Sequence, residues 1–255
     1  MAKFRVDKLL VDQGLVDSRT KAQGLVMAGQ VCVGDKLVLK PSEMFLKDTV
    51  FRLKEGANPK YVSRGGEKLQ GALLFQKLDL RGLVALDIGQ STGGFTDCLL
   101  QAGVKSVIGL DVGHNQLAWS IRNDPRVKSF EGINCRQIPE DLVPSQVDII
   151  VIDVSFISLE LILPEAAKYL KPRGIILALI KPQFEVEKGQ IGKGGIVKDS
   201  LLHLKVQEKI KGVCEKLGFV GLKVFPSMLE GTDGNKEFFI TGNLDFHLRN
   251  TFLRM

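Results

Sequence analysis

The sequence is short of the residues that cross-link or anchor a chain. Its four cysteines, Cys32, Cys98, Cys135 and Cys214, are scattered and form no C-x-x-C pair. That spacing excludes a disulfide framework and a zinc cluster as the organising device. The histidines cluster neither with the cysteines nor with one another, so no metal site is expected. No apolar run reaches the roughly 20 residues of a membrane helix. The longest, Gly174 to Ile180, has the length of a buried strand. The stretch from Met1 to Asp7 lacks the apolar segment of a signal peptide, so a cytoplasmic location is expected. No alternating barrel pattern is present either, and stable membrane insertion is not expected.

What the chain does have is a core and an uneven charge. Apolar residues make up 44% of its 255 residues, enough for one large domain or a medium one with a small appendage. The net charge is +6. Residues 1–68 hold 13 Lys or Arg against 8 Asp or Glu, so nearly all the excess lies in the first quarter. A basic module of this kind attracts polyphosphate partners.

Two patterns divide the chain. From Val6 to Gly29 the apolar residues follow helical spacing, with Ser18 placed as an N-cap. Val31–Val33 and Leu37–Leu39 flank Gly34-Asp35-Lys36 as a hairpin, and Val50–Leu53 reads as one more short strand. Glu55 to Lys60 breaks all periodicity, as a linker does. Strands are then expected at Val84–Ile88, Val107–Asp111, Val127–Phe130, Val147–Asp153, Ile175–Ile180, Val220–Phe225 and Phe238–Thr241. Helices fit between them at Thr96–Ala102, Gln116–Arg122, Leu159–Leu170 and Leu201–Leu217. This alternation predicts an α/β fold with a mostly parallel, doubly wound sheet. Only a loop separates the last two strands, so they are expected to pair antiparallel at one edge.

Ligands of such a sheet bind at the carboxyl ends of its strands. Asp87 ends the first of these strands, and Gly89, Gly93 and Gly94 make a turn that backbone can bring close to a ligand. The next strand ends in Asp111, an acceptor suited to a ribose diol. The turn holds no basic residue, which favours a cationic or neutral ligand over a triphosphate. It lacks the second glycine of a dinucleotide fingerprint. Gly89-Gln90-Ser91-Thr92-Gly93 does imitate the nucleophile elbow of hydrolases, with Asp153 and His203 as formal triad partners. Against that reading, His203 falls in mid-helix and no Gly-rich oxyanion loop precedes Ser91. A second group of charges gathers at the same edge. Asp153 ends the fourth strand, Lys181 ends the fifth, Glu237 opens the last, and Lys68 lies just ahead of the domain. Charges that end buried strands need partners.

These residues carry a family resemblance. Arg5 to Leu10, Ser18 to Ala22 and Gly29 to Gly34 resemble an S4 RNA-binding domain. Val62 to Leu69, Ser91 to Asp97, Gln116 to Trp119, Asp153 to Leu159 and Lys181 to Glu185 resemble the FtsJ-type ribose methyltransferases. The whole chain is similar to the TlyA family, often labelled hemolysin. The resemblance implies an S4-like domain over 1–56, a linker over 57–62 and a Rossmann-like class I methyltransferase domain over 63–255. It implies S-adenosyl-L-methionine as cofactor, held by Asp87, Gly89, Ser91, Thr92, Gly93, Gly94, Phe95, Asp111, Val112, Asn134 and Asp153. It also implies ribose 2′-O-methylation of ribosomal RNA, at cytidine sites in structured RNA or assembled subunits, by a tetrad of Lys68, Asp153, Lys181 and Glu237. One departure stands out: Gln90 replaces the small alanine usual in the family, and its side chain must either crowd the cofactor or point away.

In this reading Lys181 is the candidate general base, Asp153 holds it, and Glu237 orients Lys68 and the ribose. The 2′-hydroxyl separates RNA from DNA as substrate. Arg5, Lys8, Arg19, Lys21 and Lys36 are candidate phosphate contacts, with Arg64 nearer the chemistry. Gln183 to Val197, rich in glycine beside Lys188 and Lys193, reads as a lid. Two other classes stay open, a membrane-damaging hemolysin and a non-catalytic RNA-binding module.

Overall fold

A computed structural model describes residues 3–16, 18–54, 60–231 and 234–245. The chain divides into two units, Met1–Lys60 and Tyr61–Met255. Residues 57–59 of the expected linker lie outside the described residues.

The first unit contains β1 (Lys3–Arg5), α1 (Val6–Asp12), α2 (Arg19–Met27), β2 (Val31–Val33), β3 (Lys36–Leu37), β4 (Met44–Leu46) and β5 (Arg52–Leu53). Ser18 caps α2 by accepting the Lys21 backbone N–H. The hairpin forms with Cys32 opposite Leu37, and β5 pairs on the other side of β2. The apolar stripe read from the sequence becomes a small core around Val6, Leu9, Leu10, Ala22 and Val26.

The second unit opens with α3 (Arg64–Gln76) and continues β6 (Val84–Ile88), α4 (Gly94–Gln101), β7 (Ser106–Asp111), α5 (Trp119–Arg122), β8 (Val127–Glu131), β9 (Val147–Ile152), α6 (Leu163–Ala166), β10 (Leu170–Ile180), α7 (Pro182–Glu185), α8 (Ser200–Lys216), β11 (Phe219–Pro226) and β12 (Phe238–Leu244). The seven-stranded sheet has the order β11-β12-β10-β9-β6-β7-β8. β8, β7, β6, β9 and β10 run parallel, and β12 is inserted antiparallel between β10 and β11. The chain lays β7 and β8 on one side of β6 and then β9 and β10 on the other, which opens a crevice at the carboxyl ends of β6 and β9. Both faces are covered, so β9 is a nearly unbroken buried apolar run.

Two expected helices are corrected. Gln116–Arg122 is helical only over Trp119–Arg122, because Ala118 is extended and acts as its N-cap. Leu159–Leu170 is broken into a 3₁₀ turn, the four residues of α6 and a second 3₁₀ turn, with Leu170 already in β10. Helix α3 has no counterpart in the sequence reading, since Gly65, Gly66 and Gly71 disguise it as a loop. Packing requires those glycines. A Cβ on Gly66 would meet the Tyr61 ring, and one on Gly94 would meet Ser63 Oγ and the Gly66 nitrogen. The N-terminal turns of α3 and α4 therefore touch almost backbone to backbone, which brings Lys68 beside the glycine-rich turn.

Candidate active site

Sheet register collects the four charged residues. Asp153 follows Ile152 of β9, with its backbone N–H donated to the Ile88 carbonyl of β6. Ile180 lies opposite Phe238, so Lys181 and Glu237 are the next pair beyond the end of the β10–β12 ladder. Lys68 comes across from α3. The result is two ion pairs: Lys181 Nζ to Asp153 Oδ1 at 2.6 Å, and Lys68 Nζ to Glu237 Oε2 at 2.5 Å. Lys181 also donates to Ser155 Oγ at 2.9 Å. The Lys68–Glu237 pair is buried, with side chains 10% and 3% exposed. All four residues line one cavity of about 540 Å³. Thr92, Gly94 and Phe95, expected to hold cofactor, border this cavity, as does Arg64, whose guanidinium donates to the Glu230 carbonyl at 3.0 Å.

A second cavity of about 550 Å³ adjoins the first, sharing Gly89, Ser91, Asp153, Ser155 and Phe156 with it. Asp111, Val112 and Asn134 line its far part, where the sequence reading placed them. Asp111 accepts the backbone N–H groups of Ser91 and Gly113, each at 2.6 Å, and this fixes its carboxylate. Each oxygen retains a lone pair for a diol hydroxyl. Cys135 also lines this cavity, and burial, then the carboxylates of Asp111 and Asp87, push its thiol up to about 12. Two expected cofactor residues do not reach either cavity. Gly93 lies against Leu117 and Ile121, and Asp87 is fully buried beneath the turn.

The hydrolase alternative fails on geometry. Ser91 Oγ donates to Gln116 Oε1 at 3.2 Å, while the His203 ring lies on α8 against the Val197 carbonyl at 2.8 Å. His203 belongs to a different cavity, so Ser91 and His203 form no nucleophile–base pair. The segment after Lys181 is tied at both ends. Glu185 accepts from Ser158 Oγ and the Leu159 nitrogen, and Asn235 clamps Val197 and Gly195. The first tie joins the Asp153–Leu159 and Lys181–Glu185 motifs in space.

The sequence reading missed Phe156. It is 91% exposed and has φ of 63°, a strained backbone for a bulky residue. Its ring lies 5.0 Å from that of Phe184 at the junction of the two cavities. The available signal was its place in the Asp153–Leu159 motif, three residues after a strand-ending carboxylate.

In the first unit, buried Asp7 organises two of the expected RNA contacts. Its carboxylate accepts from Arg5, Arg19 and Gln23 at 2.8–3.0 Å, while both arginines keep about half of their side-chain surface exposed. Lys8 lies over the Phe4 ring at 5.9 Å, Lys21 is in the first turns of α2, and Lys36 is exposed on β3. The Arg5 guanidinium, ahead of the desolvation that opposes it, holds the Asp7 carboxyl far below the usual carboxylate range. A depressed carboxylate stabilises the fold in full above its unfolded value near 4 and loses that contribution progressively as pH falls from there through its own, far lower folded value. Asp7→Asn is therefore expected to lower stability at pH 7 by about 1–3 kcal/mol and by somewhat less at pH 3, partway down that window. Urea unfolding at the two pH values checks this.

Fold and site together define a class I methyltransferase: a parallel sheet with an antiparallel β12, a glycine turn at the switch point and paired charges beside it. Residues 61–244 match the family described as FtsJ-like methyltransferase, and residues 4–50 match the S4 domain. The chain belongs to the FtsJ-like methyltransferase family, in its S4-containing TlyA branch. It is 40% identical over 238 residues to the 16S/23S rRNA (cytidine-2′-O)-methyltransferase TlyA of Mycobacterium tuberculosis, covering 93% of this chain and 89% of the relative. Hemolysin A of Brachyspira hyodysenteriae is 42% identical over 237 residues, covering 92% and 98%. A solved structure from Streptococcus thermophilus, described as a hemolysin, superposes with a TM-score of 0.71 at 41% identity, covering 100% of this chain and 96% of that one. Among the described residues, no helix is long and apolar enough to cross a membrane.

Proposed function

We propose that this chain transfers a methyl group from S-adenosyl-L-methionine to a ribose 2′-hydroxyl of ribosomal RNA, at cytidines. The carrying observation is that two adjoining cavities meet at Gly89 and Asp153, one ending in Asp111 and the other holding both ion pairs. The residues fit the cofactor. Gly89 has φ of 84° and no Cβ to fill the junction, and Asp111 offers acceptors to a diol. Asp153 offers a negative charge where a cationic ligand would lie. Gly89, Ser91, Asp111, Val112, Asn134 and Asp153 would hold S-adenosyl-L-methionine, which supplies an activated methyl group when bound.

The chain's own residues then have to align and deprotonate the ribose hydroxyl. Lys181 Nζ takes the 2′-hydroxyl proton, held at its post by Asp153 and Ser155. Lys181 passes its resting ammonium proton to the water that leaves the cavity as RNA docks, so that its neutral amine can accept the ribose proton. Lys68, locked by Glu237, donates to the acceptor ribose. Positioning supplies much of the rate. Arg5, Lys8, Arg19, Lys21, Lys36 and Arg64 serve as phosphate contacts.

Exposed Phe156 offers a stacking face to a base beside that ribose, and such stacking is worth about 1–3 kcal/mol. Phe156→Ala is expected to lower kcat/KM for RNA by about tenfold or more, with a smaller change in cofactor affinity. Single-turnover methylation and calorimetric cofactor titration check the split.

Mass-spectrometric mapping of ribose methylation, on ribosomal subunits incubated with the chain and cofactor, tests the whole reading. New 2′-O-methylcytidine supports it. Leakage of dye from liposomes without methyl transfer overturns it in favour of a membrane-damaging protein.

A further inference from the structure

We propose that Gln90 is a positioning residue for cofactor binding, acting through Thr96 on the buried carboxylate of Asp87. The inference rests on the methyltransferase reading above and concerns the one position in the glycine turn that departs from the family pattern.

The Gln90 side chain does not crowd the cavities. It turns down into the protein and is 4% exposed. Space for it exists because Gly109, on β7, has no side chain; a Cβ there would lie 2.1 Å from the Gln90 amide. Both ends of the amide are used. Ser129 Oγ on β8 donates to Gln90 Oε1 at 2.6 Å, and Gln90 Nε2 donates to Thr96 Oγ1 at 2.9 Å. Thr96 in turn donates to Asp87 Oδ2 at 2.6 Å. Thr96 and Asp87 are both fully buried.

The direction of this chain matters. A threonine hydroxyl has one proton and two lone pairs. With the Gln90 amide donating to one lone pair, the proton of Thr96 is left for Asp87. A hydroxyl that donates to a carboxylate favours its ionised form. Asp87 needs that help. Its other oxygen, Oδ1, meets no hydrogen-bond donor among the described residues. Its charged neighbours are carboxylates, Asp153 at the end of β9 and Asp111 at the end of β7, with the Cys135 thiol also close. Asp153 is partly compensated by Lys181, and Asp111 by two backbone N–H groups. Burial above all, opposed by the Thr96 hydrogen bond, pushes Asp87 up to about 7.

A carboxylate in that range is a gate on binding a cation. Below the midpoint Asp87 is protonated and must release its proton before it can attract a positive ligand. Cofactor affinity therefore rises with pH through neutrality, and Gln90 sets where. Without its donor, Thr96 is free to turn its proton elsewhere, Asp87 ionises later, and the midpoint moves to higher pH.

Calorimetric titration of the full chain with S-adenosyl-L-methionine from pH 5.5 to 9 tests this, for wild type, Gln90→Glu and Gln90→Met. The ligand's own titration is common to all three and cancels in the comparison. Gln90→Glu keeps the shape but adds a charge and withdraws the donor. Its midpoint is expected about one pH unit higher, so that binding at pH 6 is about tenfold weaker relative to wild type. Gln90→Met, which keeps shape without any polar group, is expected to shift in the same direction by less, and serves if the Glu variant does not fold. Profiles parallel to wild type in the folded variants overturn the proposal, because a merely space-filling residue would lower affinity equally at every pH. Absence of binding by wild type at any pH overturns the methyltransferase reading itself.

Discussion

Lys181→Ala is expected to lower single-turnover methyl transfer by about 10²–10⁴-fold, the range for removal of a general base. Cofactor binding should not weaken. The variant frees Asp153 from its 2.6 Å ion pair, and a free carboxylate at the junction of the cavities attracts a cationic ligand at least as well. Lys181→Arg separates two roles for the residue. Arginine keeps the charge and can still pair with Asp153, but it cannot be deprotonated at accessible pH. If Lys181 only neutralises Asp153, the arginine variant should retain much of the activity. If Lys181 carries the proton, it should be about as inactive as the alanine variant. Rapid-quench methylation beside calorimetric cofactor titration distinguishes the outcomes, and full turnover by Lys181→Ala would remove Lys181 from the mechanism.

The strands that place this lysine were legible because buried parallel strands read as short apolar runs that end abruptly in a charge. Asp153 and Lys181 both show that pattern, and both end neighbouring strands. Their pairing with each other was also anticipated, since charges at a buried edge need partners; that Glu237 orients Lys68 followed only from the family resemblance. Helix α3 was not legible. Its three glycines are poor helix formers, and tertiary packing overrides that propensity: Gly66 accommodates Tyr61, and Gly71 would otherwise meet Met228. The direction of Gln90 was equally hidden. Whether a glutamine in the turn points at the cofactor or away depends on the empty side of Gly109, a residue 19 positions later that becomes a neighbour only through the β6–β7 pairing. Asp87 shows the same limit from the other side. Its place at a strand end marked it as a contact residue, but only the packed structure puts it beneath the turn, reached through Thr96.

Gly89→Ala is expected to be the most damaging single methyl group in the site, lowering stability by about 2–4 kcal/mol and abolishing measurable cofactor binding. Two costs combine. The backbone has φ of 84°, where an L side chain is strained, and the added Cβ would lie 2.3 Å from the Asp153 carbonyl oxygen and 3.2 Å from Val154 Cγ1. A carbonyl oxygen of the main chain cannot rotate aside as a flexible side chain can. The ends of β6 and β9 must therefore part at the point where both cavities meet, and Asp153 moves with them. Gly82→Ala isolates the first cost. It has φ of 76°, yet nothing lies within 4 Å of its Cβ position. That variant should lose only about 1 kcal/mol and bind cofactor normally. Thermal denaturation and calorimetry on the two variants test the difference; equal losses in both would mean that backbone strain alone, and not the approach of Asp153, makes the glycine necessary.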